Sequence, residues 1–388
     1  MKRPKREWLL TNKSCKDANF TLMSYNVLAQ SKIKRDLIYP YCSKKSLKSR
    51  FRHKLLVDEI QSLSPDIICM QEVYKYESFW NKELGHSYNS RYVPARPHEE
   101  DSHGIAIFWK KELFSVVEKK EIFFNRMKND YENEDQQREF GSHQVAQIVV
   151  LKSKSLDKKF AFVNTHLYWN PYYQFVRLRQ IEKILDTVRA WPALKNISLF
   201  FAGDLNVTPE NILYNILVER SPIDELDMTE FLTPLIHYDK PSVVITDVLD
   251  EDTKRKYQRM ETERRKVLSG IDENRIKEAI EIVAKIYEFA HLKSVYGCYK
   301  QICVKNKFKA LEDEDFSHLS EPNFTNYVKG FKGTLDYILI PKDQNMFCCE
   351  ILSIPSLEEV SVQTALPNDA LGSDHISIMA RFEICSDK

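Results

Sequence analysis

Glycine is scarce in this sequence, with 9 residues among 388, whereas about 7% is usual in proteins. Loops that cradle phosphate with their backbone, of the G-x-G-x-x-G and G-x-x-x-x-G-K-[ST] kinds, need clustered glycines where the chain approaches pyrophosphate. Neither pattern occurs here. The scarcity argues against a Rossmann dehydrogenase, a P-loop NTPase and a protein kinase. Any phosphate that this chain handles must therefore be bound by side chains or by a metal ion.

Paired cysteine motifs and long apolar runs are lacking too. The 8 cysteines show no C-x-x-C spacing of the kind found in zinc sites, and we expect no disulfide framework. No secretory signal and no stretch of roughly 18 apolar residues is present. These absences predict an intracellular chain without membrane contact, in the cytoplasm and/or the nucleus, with a mitochondrial location left open.

Neither sign of charge is in excess, since 57 Lys+Arg stand against 56 Asp+Glu and the formal net charge is +1. This balance argues against a polycationic nucleic-acid binder, although basic residues can still cluster locally. With 43% hydrophobic residues, the chain can bury a large core. The length is compatible with one large α/β domain.

Short apolar runs rich in β-branched and aromatic residues predict strands. The predicted strands cover residues 20–28, 66–73, 104–109, 145–151, 160–167, 197–202, 334–340 and 376–384. Apolar residues at helical spacing predict helices over 46–63 and 172–191. Because no helix separates the strand ending at Leu151 from the one starting at Phe160, hairpins are mixed with crossovers and the sheets are expected to be mixed.

The sequence predicts a single domain over residues 20–385, preceded by a basic N-terminal extension over residues 1–19. A helical insert is predicted over about 250–293, where a charged stretch, 253–266, is followed by an apolar helical repeat, 274–292. The acidic stretch 312–315 is predicted to be a loop. No internal repeat and no low-complexity linker divides the chain.

Polar side chains interrupt the ends of several predicted strands. These positions are Asn26, Glu72, His166, Asp204, Asn206, Asp336, Asp374 and His375. Active sites of α/β proteins collect at the strand ends of one sheet edge, because rigid strands fix the side chains while loops leave them accessible. Any one of these residues, taken singly, is more simply a turn residue or a hydrogen-bonded structural histidine. Together they predict a site for metal-assisted phosphate chemistry.

Seven segments carry a further indication in their order along the chain. They are LMSYNVLAQ (22–30), DIICMQEV (66–73), HGIAIFWK (103–110), NTHLYWNPYYQFVRLRQ (164–180), FAGDLNVTP (201–209), FTNYVKGFKGTLDYILI (324–340) and LGSDHISI (371–378). This set resembles the endonuclease/exonuclease/phosphatase superfamily of metal-dependent phosphoesterases. More narrowly it resembles the branch of the catabolite-repression deadenylases, nocturnin, the Angel proteins and the yeast rRNA-processing RNA exonucleases. The resemblance implies a DNase I-like fold, a four-layer α/β sandwich of two packed mixed β-sheets flanked by helices.

The resemblance also implies a magnesium-dependent 3′–5′ exoribonuclease that releases 5′-mononucleotides, with one or two Mg²⁺ ions and Mn²⁺ as a substitute. Hard carboxylate oxygens are the ligands that Mg²⁺ prefers, and the implied metal ligands are Glu72, Asp204 and Asp374. The implied catalytic residues are Asn26, His166, Asp204, Asn206, Asp336 and His375. In this interpretation Asp336 fixes the tautomer of His375, and the proton acceptor from water is either Asp204 or His375. Asp374 either approaches the metal or steadies its loop.

Substrate contacts are expected from several further residues. Pro171 and Phe331 match positions that contact bases in the poly(A) enzymes of this branch, and Asn206 is expected to contact the substrate. The residues expected to meet the nucleic-acid backbone are Arg52, Arg177 and Arg179. The expected partners are RNA 3′ ends, such as poly(A) or rRNA precursors, and the protein is expected to be a monomer.

Two departures from the family pattern bear on function. His103 precedes Gly104 where the family usually has aspartate. The 19 residues before Phe20 leave no room for the leucine-rich-repeat docking region of the large deadenylases, so docking by that route is not expected. The alternatives to an exoribonuclease are a nucleotide 2′-phosphatase, an RNA 2′,3′-cyclic phosphatase, and a catalytically silent RNA-binding scaffold.

Overall fold

The described part of the chain contains fifteen strands and nine α-helices. The computed structural model describes residues 2–11, 20–35, 38–100, 102–132, 134–195, 197–233, 262, 271–289, 291–308, 320–344 and 346–384. The strands are β1 (Trp8–Leu10), β2 (Phe20–Asn26), β3 (Ile67–Val73), β4 (Tyr88–Pro94), β5 (Gly104–Lys110), β6 (Phe114–Phe123), β7 (Val145–Ser153), β8 (Lys159–His166), β9 (Ser198–Asp204), β10 (Leu292–Ser294), β11 (Asn326–Val328), β12 (Phe331–Gly333), β13 (Asp336–Pro341), β14 (Met346–Leu352) and β15 (Ile378–Ile384). The helices are α1 (Ser49–Leu63), α2 (Asn81–Leu84), α3 (Glu134–Glu139), α4 (Gln174–Ala190), α5 (Ile212–Tyr214), α6 (Glu225–Leu232), α7 (Glu273–Tyr287), α8 (Tyr299–Lys305) and α9 (Leu357–Ser361).

The strands form two large sheets. One has seven strands in the order β1-β14-β15-β2-β3-β5-β4, and the other has six in the order β10-β13-β9-β8-β7-β6. Each sheet contains one parallel pair, β2 with β3 and β8 with β9, among antiparallel neighbours. All seven residues of β2 are buried, as expected for a central strand that is covered on both faces. Both sheets are therefore mixed, as predicted.

The main core lies between the two sheets and is rich in aromatic rings. Phe20 of the first sheet packs against Phe200 of the second, with ring centroids 5.4 Å apart. Phe200 also stacks on Phe162 at 5.0 Å. Rings of this size bury large apolar areas and favour such offset or edge contacts, so this cluster holds the sheets together.

Helices cover the outer faces of both sheets. Leu56 and Ile60 of α1 pack on the first sheet, while residues of α4 and α7 pack together on the second. The result is a four-layer arrangement of helices, sheet, sheet and helices. The predicted fold class is confirmed.

All eight predicted strands are present, with ends that differ by at most two residues from the prediction. The sequence did not reveal the other strands, which include β6, a ten-residue strand with mostly exposed residues. The predicted helix 274–292 is wrong at its end, since α7 stops at Tyr287 and β10 occupies Leu292–Ser294. The charged stretch 253–266 and the acidic loop 312–315 lie outside the described residues, apart from residue 262.

Two smaller expectations can be compared with the structure. Trp8–Leu10, within the predicted N-terminal extension, pair with β14 at the edge of the first sheet. Cys349 is disulfide-bonded, whereas the sequence analysis expected no disulfide framework. Among the cysteines that the structure describes, the free thiols are Cys42, Cys69, Cys298, Cys303 and Cys348. Among the described helices, none is both long and apolar enough to span a bilayer.

Candidate active site

Three neighbouring strands of the second sheet bring acidic and imidazole groups together. The register pairs His166 at the end of β8 with Asp204 at the end of β9, and Asp204 with Asp336 at the start of β13. Gly203 lets the strands approach here, because a Cβ on it would lie 2.1 Å from the carbonyl oxygen of Thr165 and its φ is +151°. The strand ends therefore place the three side chains at one edge, as the sequence predicted.

Asp204 lies at the centre of the site and is 1% exposed. Its Oδ2 accepts a hydrogen bond of 2.9 Å from Asn26 Nδ2, and its Oδ1 accepts one of 3.0 Å from the Asn206 amide. The Nε2 atoms of His166 and His375 lie 3.5 and 3.7 Å from Oδ2. Burial raises the pKa of Asp204, and the two imidazoles oppose that rise.

Asp336 and His375 form a buried pair. His375 Nδ1 lies 2.8 Å from Asp336 Oδ2, and the Thr325 hydroxyl donates a 2.6 Å hydrogen bond to the same oxygen. Burial alone would lower the pKa of His375, but Asp336 and then Asp204 outweigh it and raise the pKa to about 10. With Nδ1 engaged by Asp336, the Nε2 atom is the one that faces Asp204.

Glu72 lies on the first sheet, near the end of β3. Its backbone is left-handed, with φ +55°, and its Oε2 accepts a 2.9 Å hydrogen bond from the Ala29 amide. Burial would raise the pKa of this carboxyl, but His166, Lys32 and the Ala29 amide outweigh it and hold the pKa below its usual value. Glu72 is therefore ionised, as a metal ligand must be.

His103, which stands where the family usually has aspartate, lies close enough to Glu72 for the two side chains to interact electrostatically. Burial, together with the charge of Lys32, lowers the pKa of His103 to about 4, against the opposing pull of Glu72. At neutral pH its imidazole is therefore neutral, and this position contributes no negative charge to the site.

Asp374 has protein partners that steady its loop. Its Oδ2 accepts a 2.8 Å hydrogen bond from the Tyr39 hydroxyl. The neighbouring Ser373 hydroxyl donates to the Asn26 carbonyl at 2.7 Å and accepts from the His375 amide at 3.2 Å. These contacts favour the loop-steadying role of Asp374 over direct contact with metal.

Two aromatic residues, Phe331 and Trp169, lie in segments next to the site residues. Phe331, half-buried on β12, belongs to the β11–β12 hairpin, whose Asn326 pairs with His375. Pro171 is half-buried in the loop after β8, beside Trp169, which is 60% exposed. The sequence analysis did not single out Trp169, although it lies within the quoted segment 164–180. It also missed Thr325, whose acceptor Asp336 lies 11 residues further along the chain, and Tyr39, whose acceptor Asp374 is 335 residues away.

Two of the three arginines expected to meet the RNA backbone are buried. Arg52 and Arg177 are both 0% exposed, and their guanidinium groups donate to protein oxygens. Arg179 forms an ion pair with Glu182 and approaches Asp130 and Glu278. The expectation of direct backbone contact is wrong for Arg52 and Arg177, because their side chains are buried.

The donor set fits a hard divalent cation. Ligand atoms of Asp204, Asp336 and His375 all lie within 4.8 Å of one another. Asp336 Oδ1 is buried without a hydrogen-bond partner among the described residues, which is costly unless a cation or a water molecule satisfies it. Oxygen ligands from carboxylates are those that Mg²⁺ and Mn²⁺ prefer. This compact cluster shares only Asp204 with the ligand set predicted from the sequence.

Comparison with known proteins decides the family. Residues 23–375 match the endonuclease/exonuclease/phosphatase family. The chain belongs to this family. It is 27% identical over 392 residues to human 2′,5′-phosphodiesterase 12, covering 96% of this chain and 52% of that protein. It is 25% identical over 415 residues to the CCR4-Not complex 3′-5′-exoribonuclease subunit Ccr4 of Aspergillus clavatus, covering 99% and 56%.

The chain thus spans about half the length of these curated relatives. Among solved structures, a complex of ANGEL2, a 2′,3′-cyclic phosphatase, with adenosine-2′,3′-vanadate matches with a TM-score of 0.67 at 21% identity, covering 98% of this chain and 99% of that one. The human nocturnin catalytic domain matches with a TM-score of 0.59 at 18% identity, covering 98% of both chains. The match to the Ccr4 subunit agrees with the predicted branch, the two solved structures show the same fold, and the family supports a hydrolase.

Proposed function

We propose that this chain is a magnesium-dependent 3′–5′ exoribonuclease that hydrolyses RNA phosphodiester bonds and releases 5′-mononucleotides. The observation that carries the proposal is the position of Asp204, whose carboxylate is surrounded by Asn26, Asn206, His166 and His375. A catalytically silent scaffold has no need for such a buried set. The similarity to an exoribonuclease subunit over nearly the whole chain supports the same reaction.

Phosphodiester hydrolysis needs cationic charge, an activated water and a stabilised leaving oxygen. Asp204, which belongs to the compact cluster with Asp336 and His375, would hold the divalent cation together with Glu72 and Asn26. The cation would supply positive charge where negative charge develops on the phosphate. We assign His166 to hydrogen bonding with a phosphate oxygen, because its Nε2 faces the site beside Asp204. The identity of this cation as Mg²⁺ is part of the proposal.

Proton transfer is assigned to the three buried groups on β9, β13 and the segment before β15. Asp336 holds Nδ1 of His375 at 2.8 Å, which fixes the ring and directs Nε2 toward Asp204. Because Asp336 and Asp204 raise the pKa of His375 to about 10, its imidazole is protonated at neutral pH. We therefore assign Asp204 as the acceptor of the proton from the attacking water, and His375 as the group that stabilises the resulting negative charge. Asn206 keeps Asp204 in place through its backbone amide.

The RNA end is proposed to enter between the loop after β8 and the β11–β12 hairpin. Phe331 and Trp169 offer aromatic faces on these two segments, and Pro171 lies two residues after Trp169 in the same loop. Aromatic stacking contributes about 1–3 kcal/mol per base and tolerates any base. The substrate is therefore proposed to be a single-stranded 3′ end, with poly(A) and rRNA precursors as the candidates.

A second candidate is hydrolysis of 2′,5′-phosphodiester bonds. It is favoured by the proteins named 2′,5′-phosphodiesterase 12 from human, cattle, mouse and rat, which match 96% of this chain at 26–27% identity. The same carboxylates and imidazoles would serve either linkage, since the attacked phosphorus is the same. The difference lies in how Phe331, Trp169 and Pro171 orient the ribose.

A substrate panel tests the proposal. Purified protein with Mg²⁺ is incubated separately with 3′,5′-linked oligo(A) RNA, 2′,5′-linked oligo(A), RNA ending in a 2′,3′-cyclic phosphate, and NADP. We expect the fastest turnover on the 3′,5′-linked RNA. Faster turnover of the 2′,5′-linked oligomer would establish the second candidate, and phosphate release from NADP or from the cyclic end with intact RNA would overturn both.

A further inference from the structure

Arg52 is a buried cation that holds two separate loops of the site. Its Nε donates to the Gly372 carbonyl at 2.7 Å, and its Nη2 donates to the carbonyls of Val27 and Leu28 at 2.8 and 2.6 Å. Its Nη1 donates to the side-chain oxygen of Gln30 at 3.2 Å. The side chain is 0% exposed.

Arg177 repeats this arrangement on the other side of the site. Its Nη1 donates to the carbonyls of Tyr168 and Asn170 at 2.9 and 2.8 Å. Its Nη2 donates to the Pro171 carbonyl at 3.0 Å and to the side-chain oxygen of Gln174 at 2.8 Å. Each arginine thus binds three backbone carbonyls and one glutamine side chain, and each is completely buried.

Burying a guanidinium is costly unless its charge is compensated by hydrogen bonds. Arginine presents five N–H donors in a planar fork, whereas lysine offers one compact ammonium. A fork that holds several carbonyls at once fixes the relative positions of the segments that carry them. Neither arginine is exposed for contact with RNA, so the structure gives each of them a role in loop geometry.

The loops held by Arg52 carry the catalytic groups. Val27 and Leu28 follow Asn26, and the next amide, that of Ala29, donates to Glu72. Leu28 is left-handed, with φ +53°, a conformation that costs energy and persists where the surroundings fix it. Gly372 lies next to the segment of Asp374 and His375, and packs so closely that a Cβ on it would be 2.7 Å from the Arg52 carbonyl.

The loop held by Arg177 carries two of the proposed substrate-contacting residues. Residues 168–171 contain the exposed Trp169 and the half-buried Pro171. The same loop follows His166 directly, so its path decides where these two side chains stand relative to the phosphate site.

We propose that Arg52 and Arg177 are two positioning residues with separate tasks, Arg52 setting the geometry of the catalytic and metal-binding groups and Arg177 setting the loop that receives the RNA bases. This inference rests on the proposed exoribonuclease function. It predicts that substitution of Arg52 changes kcat and that substitution of Arg177 changes KM. Each variant therefore serves as the matched control for the other.

The test uses Arg52→Lys and Arg177→Lys in the full chain. Four quantities are measured for each variant and for the wild type: kcat and KM on RNA, Mn²⁺ affinity without RNA by electron paramagnetic resonance, RNA affinity without metal by fluorescence anisotropy, and the melting temperature. We expect Arg52→Lys to lower kcat on the order of 100-fold and to weaken Mn²⁺ binding about 10-fold. For Arg52→Lys, KM and RNA affinity should stay within about twofold of the wild-type values, because this substitution leaves the loop held by Arg177, residues 168–171, unchanged.

For Arg177→Lys we expect KM and the RNA dissociation constant to rise about 10-fold. A change of this size corresponds to the loss of stacking on roughly one base. Its kcat and Mn²⁺ affinity should match the wild type. Equal effects of the two variants, an exchange of their effects, or changes in melting temperature alone would overturn the proposal.

Weaker variants cover the case in which a lysine variant does not fold. Gln30→Leu and Gln174→Leu each remove one of the four acceptors, and we expect the same division between kcat and KM with smaller changes. No division would overturn the inference. If the wild type does not hydrolyse RNA, the proposed function fails; the Mn²⁺ comparison still decides the role of Arg52, and wild-type protein that does not bind RNA contradicts the role of Arg177.

Discussion

Asp204 is the residue on which most of the site converges, since Asn26, Asn206, His166 and His375 all approach its carboxylate. Replacing it with asparagine keeps the shape and removes the charge. We expect kcat to fall on the order of 10²–10⁴-fold, the usual contribution of a positioned acid or base. Steady-state hydrolysis of RNA measures this, and circular dichroism verifies the fold.

Glu321→Gln is the matched control for that variant. Glu321 is also a fully buried carboxyl, but it lies outside the site and accepts a 2.6 Å hydrogen bond from the Tyr214 hydroxyl. We expect its amide variant to retain wild-type kcat. If Asp204→Asn and Glu321→Gln lose activity to the same extent, the loss reflects the burial of a carboxyl and not its place in the site.

Glu321 also predicts a pH dependence of stability. Burial raises the pKa of this carboxyl from 4.5 to about 7, so the folded state favours the protonated form. The resulting stabilisation is complete below the unfolded pKa and is lost as pH rises through about 7, a loss of about 3 kcal/mol. Urea unfolding at pH 5 and pH 8 should show this loss in the wild type and a smaller one in Glu321→Gln. An equal loss in both proteins would contradict the assignment.

At the scale of residues, the sequence shows which side chains can carry out chemistry more readily than it shows which side chains are buried. Asn26, Glu72 and Asp204 could be selected because each is a polar residue at the end of an apolar strand. Arg52 and Arg177 could not be placed, because an arginine in a helix is normally exposed. The burial of Arg52 depends on loops that are 22 residues or more away in sequence. The burial of Arg177 depends on the folded path of residues 168–171.

The segment before β11 supports the Asp336–His375 pair through one hydroxyl. Thr325 Oγ1 donates to Asp336 Oδ2 at 2.6 Å and accepts from the amides of Leu335 and Asp336. Thr325→Val keeps the volume and removes these bonds. Since a hydrogen bond to a charged group contributes about 1.5–3 kcal/mol, we expect kcat to fall about 10- to 100-fold with KM unchanged. Thr325→Ser should retain most of the activity, and a Ser variant as poor as Val would refute the role of the hydroxyl.

The β11–β12 hairpin carries the clearest prediction about substrate binding. Phe331→Ala removes an aromatic face that is proposed to stack on a base, so KM should rise about 10-fold while kcat stays near the wild-type value. Phe331→Tyr retains the ring and should restore KM. The measurement is the steady-state rate against RNA concentration for the three proteins. A fall in kcat alone would place Phe331 in the catalytic geometry and not in base binding.

Elements differ in how well the sequence reveals them. Central strands such as β2 and β9 are continuous apolar runs, buried almost completely, and their pattern identifies them. The edge strand β6 has mostly exposed residues, and β1, β10, β11 and β12 have three residues each. Such strands form because they pair with a neighbouring strand, and this pairing cannot be predicted from the local sequence pattern.

At the scale of the whole molecule, the site draws on both sheets. Asn26 and Glu72 lie at strand ends of the first sheet, and His166, Asp204 and Asp336 lie on the second. The face-to-face packing of the sheets brings the two groups together. The order of motifs along the chain predicted the family and the fold, whereas the distances between groups that are far apart in sequence required the structure.

Dependence on a divalent cation is a property of the whole molecule, because the proposed ligands come from distant parts of the chain. Treatment with a chelator should abolish RNA hydrolysis, and added Mg²⁺ should restore it, with Mn²⁺ as a substitute. Calcium, which is larger and prefers more ligands, should restore less activity. Full activity in excess chelator would contradict the metal site.

The most direct measurement follows the products of a 5′-labelled RNA with a free 3′-hydroxyl, incubated with wild-type protein or with Glu72→Gln. The account predicts a ladder that shortens by single nucleotides from the 3′ end, with 5′-mononucleotides as the released product, in the presence of Mg²⁺ only. The Glu72→Gln variant should leave the RNA intact while binding it normally. Internal cleavage at the earliest times, no shortening by the wild type, or an undiminished ladder from Glu72→Gln would contradict the account.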